Sequence, residues 1–247
     1  MNELDYFADS YESDNAYYLE NLGIQKVYAT LLTSLIERSN AKSVLSLGVG
    51  HSAVSSAIAE LIPNKIERYL IVEGSERLIS EFNDTVHRYV GIQVVKSYFE
   101  DFITEDKFDV IEVGFVLEHV DDPETLLRHI SKLLAKNGRL AVTVPNARSL
   151  HRRIGFDAGM LNDMRALSAQ DLAFGHKRYF DLSSLTDLLT KCGLTISETK
   201  GLMLKPLTTA QLLAAELQPS AMEALYKGAL DQPDLANALY VEAAING

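Results

Sequence analysis

The chain has 247 residues, of which 47% are apolar, enough to bury the core of one α/β domain. Lys and Arg number 23 against 34 Asp and Glu, and the resulting net charge of −11 disfavours binding to DNA or to anionic membranes. The single cysteine, Cys192, excludes a disulfide framework, and the lack of a signal-like segment or an apolar run of about 18 residues predicts a cytoplasmic protein without a membrane span.

Strand-like and helix-like segments alternate through the first two thirds of the chain. An amphipathic helix is expected over residues 16–38, where apolar residues recur at helical intervals. Buried strands are predicted at residues 43–47, 68–72, 91–95, 109–113 and 139–144. Helices are expected between most of them, and this alternation is typical of a parallel sheet covered by helices on both faces.

The chain is expected to divide into a core and several additions. The predicted parts are an N-terminal helical cap (1–42), the core (43–146), a helical insertion on the substrate side (147–182), the end of the core sheet (183–207) and a C-terminal helical appendage (208–247). The insertion interrupts the alternation of strands and helices. The segment 183–207 contains two more strand candidates, at 194–199 and 202–204. Leucines at helical spacing after residue 208 predict helix to the end of the chain and allow a homodimer contact there.

A glycine-containing turn follows the first predicted strand. Gly48 and Gly50 stand where that strand passes into a helix, so backbone N–H groups can approach a ligand closely. Glu73 ends the next strand, at the place where a carboxylate accepts hydrogen bonds from the hydroxyls of a ribose. The two features together predict a nucleoside-binding crevice. With Ala53, the glycines also satisfy the fingerprint G-x-G-x-x-A, which keeps a nicotinamide-dependent oxidoreductase as an alternative.

Several longer segments resemble a known family. VLSLGVG, IVEG, YFEDF, FDVIEVGFVLEHVDDP and LLAKNGRLAVTVPN, in this order over roughly residues 41–146, are similar to the class I S-adenosylmethionine-dependent methyltransferases. The later stretch VPNARSLHRR…GHKRYFDLSSLTDLLTKCG resembles a branch that methylates small molecules. The resemblance implies a Rossmann-like, doubly wound sheet of seven strands, mostly parallel with the last strand antiparallel. It also implies S-adenosylmethionine as cofactor and S-adenosylhomocysteine as product.

The resemblance also implies which residues hold the cofactor. The glycine turn would wrap the methionine part of the cofactor, and Glu73 would bind its ribose. The residues after the third strand would flank its adenine. The predicted cofactor residues are Tyr11, Tyr18, Ser46, Leu47, Gly48, Gly50, His51, Glu73, Gly74, Ser75, Tyr98, Phe99, Glu100, Gly114, Phe115 and His119.

Two positions depart from the family pattern. Ser46 stands where the family usually has an acid, and Tyr98 where an aspartate often faces the adenine. A hydroxyl gives the cofactor ammonium a weaker hydrogen bond than a carboxylate does. Three interpretations are open: weaker cofactor binding, a compensating acid such as Glu112 or Glu118, or a degenerate protein that binds the cofactor without catalysis.

The residues predicted to lie near the methyl acceptor include possible general bases and cationic side chains. His119 and His176 are the predicted catalytic residues, because histidine is the natural general base near neutral pH and a hydroxyl acceptor benefits from one. Six basic and three acidic residues lie between 148 and 178, which predicts an anionic small acceptor: a sugar phosphate, nucleotide-sugar, phosphonate or carboxylate. Oxygen is the leading acceptor atom, and nitrogen or carbon stays open. The predicted substrate-binding residues are Asn146, His151, Arg152, Arg153, His176, Arg178 and Lys205. No motif suggests a metal.

Overall fold

A seven-stranded sheet organises the computed structural model, which describes residues 18–62, 64–86 and 91–245. Its strands are β1 (Ser43–Leu47), β2 (Arg68–Glu73), β3 (Ile92–Lys96), β4 (Phe108–Gly114), β5 (Leu134–Pro145), β6 (Leu194–Leu204) and β7 (Ala236–Ile245). Their order in the sheet is β3-β2-β1-β4-β5-β7-β6. Strands β1 to β5 pair in parallel, and β7 is antiparallel to both β5 and β6. The doubly wound, Rossmann-like sheet expected from the sequence is confirmed.

Helices cover both faces of this sheet. They are α1 (Tyr18–Arg38), α2 (Ser52–Ala59), α3 (Glu76–Val86), α4 (Pro123–Ser131), α5 (Leu150–Asp157), α6 (Ala169–Ala173), α7 (Leu182–Lys191), α8 (Thr209–Ala214) and α9 (Pro219–Lys227). The central strands are buried on both sides, which explains their continuous apolar runs. Within the described parts of the chain, no helix combines the length and apolarity that crossing a membrane requires.

The C-terminal segment corrects one prediction. Residues 208–247 were expected to be helical to the end, but after α8, α9 and a short 3-10 helix (Pro233–Leu235) the chain forms β7. Ala, Leu and Glu in this segment favour a helix when it stands alone. In the folded chain Leu239 and Val241 pack into the core on one face of the sheet, and Tyr240 packs into the core on the other face. Burial of side chains on both faces therefore stabilises the strand over the helix.

The two strand candidates at 194–199 and 202–204 form one strand, β6, which lies at the edge of the sheet beside β7. Residues 147–182, the predicted insertion, contain α5 and α6 joined by irregular chain. The N-terminal helix α1 packs against α2, α9 and β6. Tyr11, in the predicted cap, lies outside the described residues.

Candidate active site

A cleft opens at the carboxyl ends of the central strands. Since β2, β1 and β4 are neighbours and parallel, the segments that follow them meet at one edge of the sheet. Gly48 and Gly50 follow β1 with φ angles of 91° and 55°, which glycine adopts without strain. A Cβ atom built on Gly50 meets nothing within 4 Å, so this turn borders open space. The geometry brings the two glycines next to the ends of β2 and β4.

Glu73 holds the glycine turn in place. Its carboxylate is buried and accepts hydrogen bonds from the backbone N–H groups of Val49, at 3.1 Å, and Ser75, at 2.7 Å. A Cβ atom on Gly48 would lie 3.8 Å from Glu73 Oε2 and 3.8 Å from the ring of Phe99. The predicted neighbours Gly48, Glu73 and Phe99 are therefore brought together.

A buried polar group lies beside Ser46. Ser46 and Glu112 are direct partners in the pairing of β1 with β4, and both are buried. Ser46 Oγ is 3.2 Å from the hydroxyl of Tyr69, and the hydroxyl of Tyr28 donates to Glu112 Oε1 at 2.6 Å. Burial raises the pKa of Glu112 to about 7. Of the two acids considered as compensation for Ser46, Glu112 is the one placed next to it.

These residues line one cleft together with the glycine turn. Its lining comprises Gln25, Tyr28, Ser46, Gly48, Val49, Gly50, His51, Val54, Ser55, Tyr69, Glu112, Gly114 and Phe115. The sequence predicted six of these thirteen residues as cofactor residues and named Glu112 as a compensating acid. The six that it did not predict are Gln25, Tyr28, Val49, Val54, Ser55 and Tyr69. At Gly114, a Cβ atom would lie 2.2 Å from Glu112 Oε1 and 2.9 Å from the Tyr28 hydroxyl. Only glycine leaves room here for the carboxyl group.

The remaining predicted cofactor residues surround this cleft. His51 caps the first turn of α2, because its Nδ1 accepts a hydrogen bond from the N–H of Ala53 at 3.0 Å, and the ring of Tyr18 lies 6.3 Å from its ring. Tyr98 is half exposed and Glu100 is exposed, both after β3. Leu47, Gly74 and Ser75 are buried at the ends of β1 and β2.

A second group of side chains lies just beyond β4. Glu118, His119 and His176 each offer one atom within 4.8 Å of the others. Glu118 is fully buried, and among the described residues neither of its carboxylate oxygens has a hydrogen-bond partner. Burial raises the pKa of Glu118 to about 7 and lowers that of His119 to about 4. We call these three residues the Glu–His–His cluster.

His176 belongs to a further network. Its Nδ1 lies 3.4 Å from Asp171 Oδ1, and the hydroxyl of Tyr179 donates to the same oxygen at 2.9 Å. Asp171 is itself held by the backbone N–H and hydroxyl of Ser168, both at 2.7 Å. The carboxylate therefore has a fixed position next to the imidazole, although His176 Nδ1 makes no hydrogen bond with the described residues. Sequence spacing gave no indication of Asp171 or Tyr179 in this role.

The cations of the basic segment contact the chain itself. Arg178 donates to the backbone carbonyls of Leu117, at 3.1 Å, of Asp121, at 3.0 Å, and of Val120. Arg152 is buried, donates to the carbonyls of Met164 and Ala166, and lies 4.2 Å above the ring of Tyr179. Arg165 pairs with Asp181, and Lys177 pairs with Asp121. These contacts account for much of the local positive charge without an anionic ligand.

Two other predicted substrate residues, Asn146 and Lys205, also make internal contacts. Asn146 is buried and its side-chain amide donates to the carbonyls of Pro233, Asp234 and Ala236. Lys205 Nζ is buried and lies 2.6 Å from Glu20 Oε1. Burial and then the charge of Lys205 lower the pKa of His151 to about 3. Arg153 is exposed, with only a long contact of 3.9 Å to Asp157.

Comparison with known proteins agrees with this geometry. The sequence profile of the methyltransferase domain family matches residues 19–199, and no curated protein matches the chain. NodS, an N-methyltransferase from Bradyrhizobium japonicum WM9, is 17% identical with a TM-score of 0.55, over 96% of this chain and 100% of that one. An S-adenosylmethionine-dependent methyltransferase from Clostridium acetobutylicum ATCC 824 is 12% identical with a TM-score of 0.60, over 100% of both chains.

A third similar structure is the plantazolicin methyltransferase BpumL in complex with a triazolic desmethylPZN analogue and S-adenosylhomocysteine. It is 16% identical with a TM-score of 0.64, over 95% of this chain and 90% of that one. The family match covers most of the chain and includes β1, β2 and β4, whose ends form the cleft. The chain therefore belongs to the methyltransferase domain family and is an S-adenosylmethionine-dependent methyltransferase with the class I fold.

Proposed function

We propose that this enzyme methylates a hydroxyl oxygen of a small acceptor held between the cofactor cleft and the Glu–His–His cluster. The observation that carries the proposal is the position of the cluster. Gly114 and Phe115 line the cleft, and Glu118 and His119 follow in the turn directly after them. A methyl group bound at the end of β4 would then lie near carboxylate and imidazole groups, which offer acceptors for the proton of an attacking hydroxyl.

Glu73 and Glu112 are proposed as the two cofactor-binding carboxylates. Glu73 would accept hydrogen bonds from the ribose hydroxyls, as its fixed position beside the glycine turn suggests. Glu112 would bind the ammonium group of the methionine part in place of an acid at Ser46. A charge-assisted hydrogen bond is stronger than one to a hydroxyl. The substitution at position 46 is then compatible with an active enzyme.

The reaction needs orientation more than chemical assistance. The acceptor oxygen attacks the methyl carbon in line with the sulfonium, the C–O bond forms as the C–S bond breaks, and neutral S-adenosylhomocysteine leaves. The hydroxyl proton is lost to a base or to solvent. Holding the oxygen about 3–3.5 Å from the methyl carbon supplies most of the acceleration.

An anionic acceptor remains part of the proposal, with a changed set of residues. Arg152 and Arg178 are engaged by the chain itself, so they are poor candidates for binding a ligand. Arg148 and Arg153 are exposed on the same segment, and their guanidinium groups suit phosphate or carboxylate. Neutralising Arg148 and Arg153 should raise the KM for the acceptor and leave cofactor affinity unchanged.

Methylation of nitrogen is the second candidate, because NodS is an N-methyltransferase. The test is turnover of methyl-labelled S-adenosylmethionine on matched panels of hydroxy acids, sugar phosphates and primary amines. We expect labelled methyl ethers from the hydroxy acids and the sugar phosphates. Turnover confined to the amines would overturn the proposal of O-methylation. Titration with S-adenosylhomocysteine serves as the control that the protein preparation retains its cofactor site.

A further inference from the structure

We infer that Glu118, His119 and His176 form a binding site for one divalent transition-metal cation. Two imidazoles and one carboxylate are a common protein ligand set for such ions, and they leave positions open for water or substrate. The inference that a cation binds is independent of the proposed reaction. The role given to it below rests on that proposed function.

The first observation is the separation of the donor atoms. One donor atom from each residue lies within 4.8 Å of the other two, and His119 Nε2 is 4.0 Å from Glu118 Oε1. Donors around Zn²⁺, with bonds of about 2.0–2.1 Å, lie about 3.3 Å apart. The imidazoles are half-buried and their rings are 4.9 Å apart at 77°, so small side-chain rotations would complete the site.

The second observation is the state of Glu118. Its side chain is 0% exposed, and no described residue supplies a hydrogen bond to either carboxylate oxygen. A buried polar atom without a partner costs about 1–3 kcal/mol, and more when it is charged. The charges of His176 and Arg178 favour the ionised form of Glu118, but they do not supply the missing hydrogen bonds. A cation bound between Glu118 and the two histidines would supply the missing interaction.

The third observation is the orientation of His176. Asp171 Oδ1 lies 3.4 Å from His176 Nδ1, within ion-pair distance but without hydrogen-bond geometry, so the carboxylate lies behind the ring and a small rotation would let it accept the Nδ1 proton. Metal-binding histidines usually have such a carboxylate or carbonyl behind them. His119 has a comparable contact, since its imidazole hydrogen-bonds to the backbone of Gly175.

The backbone around the cluster is braced. The N–H of Lys177 donates to the carbonyl of Glu118 at 2.8 Å, which ties the turn after β4 to the segment that carries His176. Arg178 donates to three carbonyls of the same turn. Ligands from two distant parts of the chain are thereby held together before any ion binds, as a preformed site requires.

The cation would act on the acceptor. An acceptor hydroxyl coordinated at an open position loses its proton to solvent more easily, because the metal lowers the pKa of a bound oxygen. The resulting oxygen attacks the methyl carbon, and the C–S bond breaks to give neutral S-adenosylhomocysteine. The two imidazoles would then serve as ligands. The site would therefore select acceptors in which a hydroxyl lies next to a second oxygen donor, because the two oxygens together can chelate the ion.

The test uses full-length, untagged protein treated with a chelator and then titrated with Co²⁺ and Zn²⁺. We expect one equivalent to bind per chain, with a Co²⁺ absorption spectrum typical of nitrogen and oxygen ligands. Glu118→Gln and His176→Asn should each weaken binding by at least about tenfold. Asp171→Asn should weaken it less, since this residue only orients His176.

His129→Gln is the matched control, because His129 lies away from the cluster and bonds to the carbonyl of Phe102. It should bind Co²⁺ like the unmodified protein. Circular dichroism and binding of S-adenosylhomocysteine show that each variant is folded. Absence of saturable binding, or equal binding by Glu118→Gln, would overturn the metal site. If S-adenosylhomocysteine still binds in that case, the methyltransferase assignment stands and only the metal inference fails.

Discussion

At the bottom of the cofactor cleft, burial raises the pKa of the Glu112 carboxyl to about 7. If Glu112 binds the cofactor ammonium, it must be ionised to do so, and below pH 7 it is mostly protonated. We therefore expect the affinity for S-adenosylhomocysteine to increase about tenfold from pH 6 to pH 8, following the ionised fraction of this group. Isothermal titration calorimetry across this range measures the effect.

Glu112→Gln is the control for this pH dependence. Glutamine keeps the size of the side chain and an oxygen for the Tyr28 hydroxyl, but it does not titrate. The variant should bind more weakly at pH 8 and show a flat profile from pH 6 to pH 8. An unchanged slope in Glu112→Gln would assign the titration to another group and remove Glu112 from the proposed cofactor site.

At the scale of elements, Arg178 fixes the turn after β4. Its guanidinium donates to the carbonyls of Leu117, Val120 and Asp121, and hydrogen bonds from charged groups contribute about 1.5–3 kcal/mol each. Replacing it by glutamine should loosen residues 117–121 and lower kcat, since Glu118 and His119 lie in this turn. Hydrogen exchange of the amides of 117–121 should be at least about tenfold faster. Cofactor affinity should change little.

Arg153→Gln is the matched variant for this experiment. Arg153 belongs to the same basic segment but is exposed and makes only a long ion pair. Its removal should leave amide exchange in 117–121 unchanged. Slow exchange retained in Arg178→Gln would show that other contacts hold the turn, and the predicted role of Arg178 in binding the acceptor would then regain support.

Local sequence features allowed the glycine turn and Glu73 to be predicted correctly as neighbours. Both stand at the ends of adjacent parallel strands, so the fold class alone brings them together. The partners of Arg152 and Arg178 could not be predicted in this way, because they are backbone carbonyls of distant turns. Excess charge in a segment indicates that partners exist, and tertiary structure decides whether they belong to the protein or to a ligand.

The neighbours of Glu112 and the assembly of the Glu–His–His cluster could not be predicted from local sequence either. Glu112 interrupts an apolar strand, which marks it as unusual, but only the pairing of β4 with β1 shows that it faces Ser46. Glu118 and His119 are adjacent in sequence, whereas His176 comes from the insertion between β5 and α7. A cluster made from separate segments has no spacing that a sequence motif could capture.

At the scale of the whole molecule, the placement of β7 inside the sheet has a measurable effect on stability. Leu239 lies in β7 and is fully buried, whereas Leu213 in α8 is 48% exposed. Leu239→Ala should lower the free energy of unfolding by about 2–5 kcal/mol, as truncations of buried leucines do. Leu213→Ala should change it by less than about 0.5 kcal/mol. Urea denaturation of the two variants gives both values.

Equal effects of Leu239→Ala and Leu213→Ala on the free energy of unfolding would contradict the placement of β7 inside the sheet. If residues 236–245 formed a surface helix, as their composition favours, both leucines would lie in an appendage and Leu239→Ala would be mild. The comparison is well matched because both changes remove the same atoms from the C-terminal part of the chain. It therefore separates the burial of β7 from general effects of shortening a leucine.

The position of β7 in the sheet also determines when β5 becomes fully paired during synthesis of the chain. Strand β7 follows β6 in the chain but lies between β5 and β6 in the sheet, so β5 has one edge without a neighbour until residues 236–245 have left the ribosome. A bare edge on a strand this apolar is a template for another nascent chain. The interval in which residues 146–235 are being made is therefore when this edge of β5 is open to pairing with another chain.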